Sequence, residues 1–156
     1  MEAVADLLVA GPTRGPRAIA ALVARVVGGG VFVAFGVGKF TQHASEVASF
    51  EAYGLPAPDA FVYAIGVVEI VGGLLLVLGF LTRPAALALA GDMVAAIIVS
   101  GLALGEAVSL TITVAPAELA VCLYLLWTGP GMLALDRLLM THPASATRGR
   151  AARSHR

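Results

Sequence analysis

The apolar run from Phe61 to Leu81, with Glu69 near its centre, constrains the fold of this 156-residue chain more than any other feature. At about 1.5 Å per residue, a helix over this run is long enough to cross a hydrocarbon core of roughly 30 Å. A carboxyl group at the middle of such a helix costs roughly 2.5–3.5 kcal/mol on insertion, so it is seldom kept without a partner or a function. The run therefore predicts a membrane bundle with a buried ionisable site.

Composition supports a helical membrane domain and argues against several other classes of protein. Charged residues make up 13% of the chain, against about 25% in soluble domains. The one cysteine, Cys122, excludes an internal disulfide or a two-cysteine redox pair, and we interpret it as a packing residue. No basic face with interleaved aromatic residues is present, so we expect no nucleic-acid partner. His43 has no second histidine or cysteine at ligand spacing, so we expect no metal site.

Hydropathy and turn residues predict an all-α protein, an integral membrane four-helix bundle. We place the spans at about 17–40, 61–81, 85–104 and 110–128, inside a membrane domain of residues 17–140. An amphipathic helix at about 45–53 is expected to lie on the membrane surface, and a second short helix is expected at 132–140. The lead, residues 1–16, and the basic tail, residues 141–156, are expected to be disordered. Four aromatic residues fit a belt at the membrane interfaces: Tyr53, Tyr63, Tyr124 and Trp127.

The distribution of positive charge predicts the orientation of the bundle. Outside the spans, every arginine lies before the first span, between the second and third, or after the fourth. The other two connections contain no lysine or arginine, and their charged residues are all acidic: Glu46, Glu51, Asp59 and Glu106. By the positive-inside rule, both termini are cytoplasmic and the two acidic loops face outward.

Five ionisable residues fall within the predicted spans: Arg25, Lys39, Glu69, Asp92 and Glu118. The three acids lie near mid-depth, whereas Lys39 lies near the outer boundary, from which it either extends outward or reaches Glu69 or Glu118. Two cations cannot neutralise three acids one to one, so we expect at least one carboxyl group to stay protonated. Such a site suits hydrogen bonding to a small ligand such as a quinone. The alternative is a structural network that sets the register of the helices.

Several glycines lie on the same helix faces as the charged residues of the first and second spans. Helical projection places Arg25 and Lys39 on one face of the first span and Glu69 on one face of the second. The glycines on these faces are Gly28, Gly29 and Gly36 in the first span, and Gly66, Gly72, Gly73 and Gly79 in the second. Because glycine lets neighbouring backbones approach closely, we expect both faces to pack on other helices and to bring Glu69 within reach of groups there.

Several of these residues resemble the sequence pattern of the DoxX family. The resemblance covers about residues 17–138. It consists of Arg25, Gly36, Lys39 and Phe40; Glu69 with Gly72-Gly73-Leu74-Leu75-Leu76 and Gly79; Leu81-Thr82-Arg83; Glu118; and Gly129-Pro130-Gly131 with Leu135-Asp136. The chain departs from the pattern at Ala134, where a serine is common, and Asp92 is not part of the pattern.

The resemblance implies a small four-helix protein of the bacterial or archaeal inner membrane, and it links several members to quinone-dependent redox systems. We therefore interpret the chain as a membrane subunit of a redox complex, not catalytic by itself. Arg25, Lys39, Glu69 and Glu118 are the candidate ligands for a quinone held without a covalent bond, and Asp92 is a further candidate. The lipid bilayer is the expected environment, and a cytoplasmic redox enzyme and a second copy of the chain are the candidate partners.

Two other functions stay open at this point. The first is a non-enzymatic membrane anchor that recruits cytoplasmic redox or stress enzymes through the arginine-rich tail and the segment around Asp136. The second is a small proton-linked transporter, which is less favoured because the four spans show no inverted repeat.

Overall fold

The computed structural model describes residues 10–103 and 109–140, and over these ranges the chain is helical with no strand. The helices are α1 (Pro16–Thr41), α2 (His43–Ala52), α3 (Pro58–Leu78), α4 (Thr82–Ala103), α5 (Ser109–Thr128) and α6 (Leu135–Met140). The prediction of an all-α fold is confirmed. The predicted loop around Glu106, most of the lead and the basic tail lie outside the described residues.

Length and composition suit the long helices to a membrane. α1, α3 and the part of α4 from Thr82 to Val99 are each long and apolar enough to span one, and α5 contributes a shorter apolar stretch, Thr113–Thr128. Large apolar side chains point away from the bundle on every one of them, for example Val27, Leu74, Leu87 and Leu123. An apolar outer surface of this extent is typical of a protein embedded in lipid.

The four long helices form a ring, in which α1 and α4 each pack against both α3 and α5. The core of the ring is formed by fully buried side chains, including Phe32, Leu76, Leu89, Leu125 and Cys122. The short helix α2 packs on α3. We call the end of the ring that carries α2 the α2 end. The opposite end, formed by residues 10–15, 79–84 and 129–140, is the terminal end.

Where α3 ends and α4 begins, the helix boundaries differ from the prediction because of local backbone chemistry. α3 ends at Leu78 rather than Leu81, because Gly79 adopts a left-handed conformation with φ of 67°. The N–H groups of Gly79 and Phe80 then donate to the carbonyls of Leu76 and Leu75, both at 3.0 Å, as in a Schellman motif. α4 begins at Thr82 rather than at residue 85, because Pro84 lies in the first turn, where a helix needs no backbone donor.

The predicted contact between glycine faces is confirmed where α1 meets α3. Gly29 lies against Gly73, and Gly36 lies against Gly66. A Cβ atom added to Gly29 would be 2.7 Å from the Gly73 carbonyl oxygen, and one added to Gly36 would be 2.8 Å from the Gly66 oxygen. Any side chain at these positions would force the two backbones apart, so the close approach depends on glycine.

Arginine side chains at the terminal end contact the described part of the lead. Arg83 Nη2 donates to the Ala10 carbonyl at 3.3 Å, and Arg137 Nη2 donates to the Gly11 carbonyl at 2.9 Å. The glycines and prolines of the lead disfavour a helix and leave its carbonyls free to accept from these arginines, and the disorder of residues 1–16 stays a prediction.

The sidedness of the bundle remains a prediction, and cysteine labelling tests it. Ser45 on α2 and Leu138 on α6 are both exposed, whereas the native Cys122 is fully buried and should react little. By the positive-inside rule, an impermeant maleimide added to spheroplasts should label Ser45→Cys and spare Leu138→Cys. Lysis should make both cysteines reactive. Labelling of Leu138→Cys alone in intact spheroplasts would show that the orientation is reversed.

Candidate functional site

An ion pair between Lys39 on α1 and Glu69 on α3 forms the centre of the candidate site. Lys39 Nζ lies 3.0 Å from Glu69 Oε2 and 3.1 Å from Oε1, and the two side chains are 12% and 4% exposed. The sequence predicts that Lys39 either extends outward or reaches Glu69 or Glu118. The structure shows that it reaches inward to Glu69. The glycine contacts between α1 and α3 bring the two helices close enough for this pair to form.

Two further carboxyl groups, those of Glu118 on α5 and Asp92 on α4, each have an unpaired oxygen. Glu118 is 7% exposed, and its Oε2 and the Asp92 Oδ2 are buried without a hydrogen-bond partner. Neither group has a cation within ion-pair distance among the side chains that the structure describes. Buried polar atoms are satisfied in most proteins, so two unpaired carboxyl oxygens in one bundle call for a functional explanation.

Two cavities meet at the Lys39–Glu69 pair. The smaller cavity, about 130 Å³, lies among α1, α3, α4 and α5 and is lined in part by Glu118. The larger cavity, about 390 Å³, extends from the same pair to α2 and is lined in part by Asp92 and Glu46. The residues common to both walls are Phe35, Lys39, Glu69, Met93 and Ala96. The ion pair is therefore accessible from two sides inside an otherwise apolar bundle.

Arg25 does not line either cavity. Its Nη1 donates to the Pro130 carbonyl at 2.6 Å and its Nη2 donates to the Leu133 carbonyl at 3.1 Å, and the side chain is buried. Gly79 leaves room for it, since a Cβ atom at that position would collide with Arg25 Nη1. The structure thus brings together four of the five predicted site residues, and it places Arg25 in a separate cluster at the terminal end.

Comparison with known proteins agrees with the resemblance seen in the sequence. The family model described as DoxX matches residues 20–102. The chain is also 38% identical over 138 residues to an uncharacterized membrane protein of Mycobacterium tuberculosis. The match covers 80% of this chain and 83% of that relative. The chain belongs to the DoxX family. No solved structure matches it.

The matched part of this DoxX protein contains most of the candidate site. Lys39, Glu69 and Asp92 lie within residues 20–102, as does Arg25, whereas Glu118 lies beyond them. The predicted DoxX-type membrane bundle is confirmed at the level of family and fold.

Asp136 has a structural role that the sequence analysis did not assign. Its carboxylate is fully buried and accepts hydrogen bonds from the backbone N–H groups of Leu81 and Thr82, at 2.8 Å and 3.2 Å, and from Thr82 Oγ1 at 3.4 Å. A carboxylate at this position stabilises the start of α4, where the backbone donors have no partner within the helix. The Asp136 carboxylate is therefore occupied inside the protein, and recruitment of a partner through the arginine-rich tail and the segment around Asp136 stays a prediction.

The contacts of Asp136 and Arg25 together form what we call the terminal clasp: Arg25, Thr82, Pro130, Leu133 and Asp136. The DoxX resemblance contains a signal for it, because Leu81-Thr82-Arg83 belongs to the same pattern as Gly129-Pro130-Gly131 and Leu135-Asp136, although it is distant from both in the sequence. The structure shows that these three segments meet at the terminal end.

Aromatic side chains on the wall of the larger cavity were also missed. They come from α1, α2, α3 and the turn after α2: Phe35, Phe50, Tyr53 and Phe61. The spacing of Phe35, one helical turn before Lys39, is a signal that both lie on one face. Tyr53, which the sequence assigned to an interfacial belt, contacts Phe50 with ring centroids 5.9 Å apart.

His43 connects α2 to α3. Its Nε2 lies 2.7 Å from Asp59 Oδ1, and its ring stacks on Tyr63 with centroids 4.3 Å apart. Within residues 10–103 and 109–140, no three histidine, cysteine or acidic side chains are grouped so as to hold a metal ion. These contacts position α2 over the larger cavity.

Proposed function

We propose that this DoxX protein binds the headgroup of a quinone-like molecule in the larger cavity, as the membrane subunit of a redox complex in a bacterial inner membrane. The observation that carries the proposal is the position of the Lys39–Glu69 pair, which is buried in an apolar bundle yet lines a cavity. Charged residues inside a membrane domain are costly and mark ligand or ion sites by default.

The size and the wall of the larger cavity support a flat, apolar ligand with polar atoms at its edge. Its volume, about 390 Å³, falls within the range of roughly 300–1,000 Å³ that is usual for small-molecule sites. Phe35, Phe50, Tyr53 and Phe61 provide faces and edges against which a ring can pack. A quinone has the matching shape, because its ring is apolar on both faces and carries carbonyl oxygens at the edge.

Lys39 is the group that we expect to contact a quinone oxygen. Its ammonium carries three N–H donors and donates to Glu69 Oε1, with Oε2 at ion-pair distance, so donor capacity remains for a ligand carbonyl. Glu69 holds the ammonium in position, and Asp92 lies on the same cavity wall. Electrons must come from a partner protein, because amino-acid side chains of this kind bind and orient a quinone but do not supply redox equivalents.

Binding of a short-chain quinone to the purified protein, measured by titration calorimetry, tests the proposal. Lys39→Met and Glu69→Gln should each weaken binding by about tenfold or more, since a hydrogen bond to a charged group contributes roughly 1.5–3 kcal/mol. Val71→Ala is the matched control, because Val71 lies on α3 but faces outward, and its affinity should equal that of the wild type. Equal affinities for all four proteins, or no binding by any of them, would contradict the proposal.

A further inference from the structure

Glu118 takes no part in the contacts proposed above for a quinone oxygen, although its carboxyl group is buried inside the bundle. It lines the smaller cavity, it is more than nine-tenths buried, and its Oε2 has no partner among the described residues. Gly28 on α1 leaves the space for it, because a Cβ atom there would lie 3.0 Å from Glu118 Oε2. A buried carboxyl group that lines a cavity and has no partner is a candidate for exchanging a proton with that cavity.

The two cavities give Glu118 a continuous connection to the α2 end. They share a wall that includes Lys39, Glu69 and Ala96, and the larger cavity continues to Glu46 and Ser49 on α2. Carboxyl groups therefore occur at each stage between the surface and the bundle centre: Glu46 on α2, Asp92 on α4, Glu69 on α3 and Glu118 on α5. Glu46 and Asp92 line the larger cavity, Glu69 lines both cavities, and Glu118 lines the smaller one.

We propose that the two cavities form a proton path that connects Glu118 with the aqueous phase at the α2 end. In each transfer an O–H bond breaks on one carboxyl group or water molecule and another forms on the next, so the path needs no co-reactant. The smaller cavity, about 130 Å³, has room for several water molecules, each of which occupies about 30 Å³ in the liquid. Lys39, Glu69 and Glu118 provide the polar partners that such water requires.

The charged and titratable groups around Glu118 fit a path that opens at one end. They are Lys39 on α1, Glu69 on α3, Asp92 on α4 and Cys122 on α5 itself, and Lys39 is held by Glu69. Towards the terminal end, the described core is closed by the buried side chains of Leu76, Leu89 and Leu125 and by the terminal clasp. This proposal goes beyond the proposed function, because proton exchange at Glu118 requires no quinone.

Modification by a hydrophobic carbodiimide, which reacts with protonated carboxyl groups, tests the path in the full-length protein. The protein is reconstituted in phosphatidylcholine vesicles without quinone, and molecules of one orientation are selected with the Ser45→Cys label. Modification of Glu118 is then followed by mass spectrometry while the pH of either compartment is raised. A rise of about two pH units on the α2 side should slow modification several-fold, up to about tenfold per unit. The same rise on the terminal side should leave the rate unchanged.

Two variants identify the route. Ala96→Leu places a larger side chain where the two cavities meet, and it should remove the response to pH on the α2 side. Ala88→Leu, on the exposed face of α4, is the control and should retain that response. Glu69→Gln keeps the shape of the junction and should slow the response if Ala96→Leu does not fold. The proposal is overturned if Glu118 is not modified at any pH, if its rate follows the terminal side, or if neither compartment affects it.

Discussion

Replacing Asp136 by alanine is expected to lower the free energy of unfolding by about 3–5 kcal/mol, because each hydrogen bond to a charged group contributes roughly 1.5–3 kcal/mol. The variant loses the acceptor for the N–H groups of Leu81 and Thr82 and for the Thr82 hydroxyl. These donors lie in a buried or partly buried region, where water does not readily replace the carboxylate. Unfolding in a denaturing detergent, followed by circular dichroism, measures the loss.

Asp59→Ala is the matched control for this prediction. Asp59 also accepts from a side chain, with His43 Nε2 at 2.7 Å, but its own side chain is 71% exposed. An exposed pair of this kind contributes roughly 0–1 kcal/mol, so Asp59→Ala should unfold close to the wild type. If Asp136→Ala were no less stable than Asp59→Ala, the terminal clasp would not be a stabilising element.

A methyl group at Gly29 is expected to destabilise the bundle by about 1–3 kcal/mol, the usual effect of inserting atoms into a well-packed interior. The added Cβ would lie 2.7 Å from the Gly73 carbonyl oxygen and 2.9 Å from a Val77 methyl group. The backbone oxygen cannot move without shifting α3, so the strain is not relieved by a rotamer change. The same unfolding assay reports the effect.

Gly30→Ala provides the control at the next position along α1. A Cβ atom there meets nothing within 4 Å, and both variants gain the same helix propensity relative to glycine. Gly30→Ala should therefore be as stable as the wild type or more stable. Equal loss of stability in Gly29→Ala and Gly30→Ala would mean that the contact between α1 and α3 does not depend on glycine.

The membrane helices, the glycine faces and the Lys39–Glu69 contact could be predicted because each rests on periodicity within one or two spans. The position of Arg25 could not. A count of charges treats Arg25 and Lys39 as equivalent cations, but the forked donors of arginine also suit backbone carbonyls, and here they bind those of Pro130 and Leu133. As a result, one cation rather than two lines the cavities with Glu69, Asp92 and Glu118.

The wall of the larger cavity depends on where a short helix lies, which local sequence does not determine. The pattern of residues 45–53 predicts an amphipathic helix, and α2 is observed at His43–Ala52. Its position over the bundle follows from contacts with the next helix, in which His43 reaches Asp59 and Tyr63. Phe50 and Tyr53 line the cavity only because of this tertiary arrangement.

The partners of Arg25 also have a consequence for biosynthesis. The bond from Arg25 to the Pro130 carbonyl joins residues 105 positions apart, so a ribosome makes the arginine long before it makes the acceptor. Until the segment that holds Pro130 and Leu133 has been translated, the guanidinium of Arg25 in the first helix lacks these two acceptors, and a cation within a membrane span is costly. A chain that stops before residue 130 therefore lacks the carbonyl groups that accept from Arg25, so the first helix reaches its final contacts only when synthesis is nearly finished.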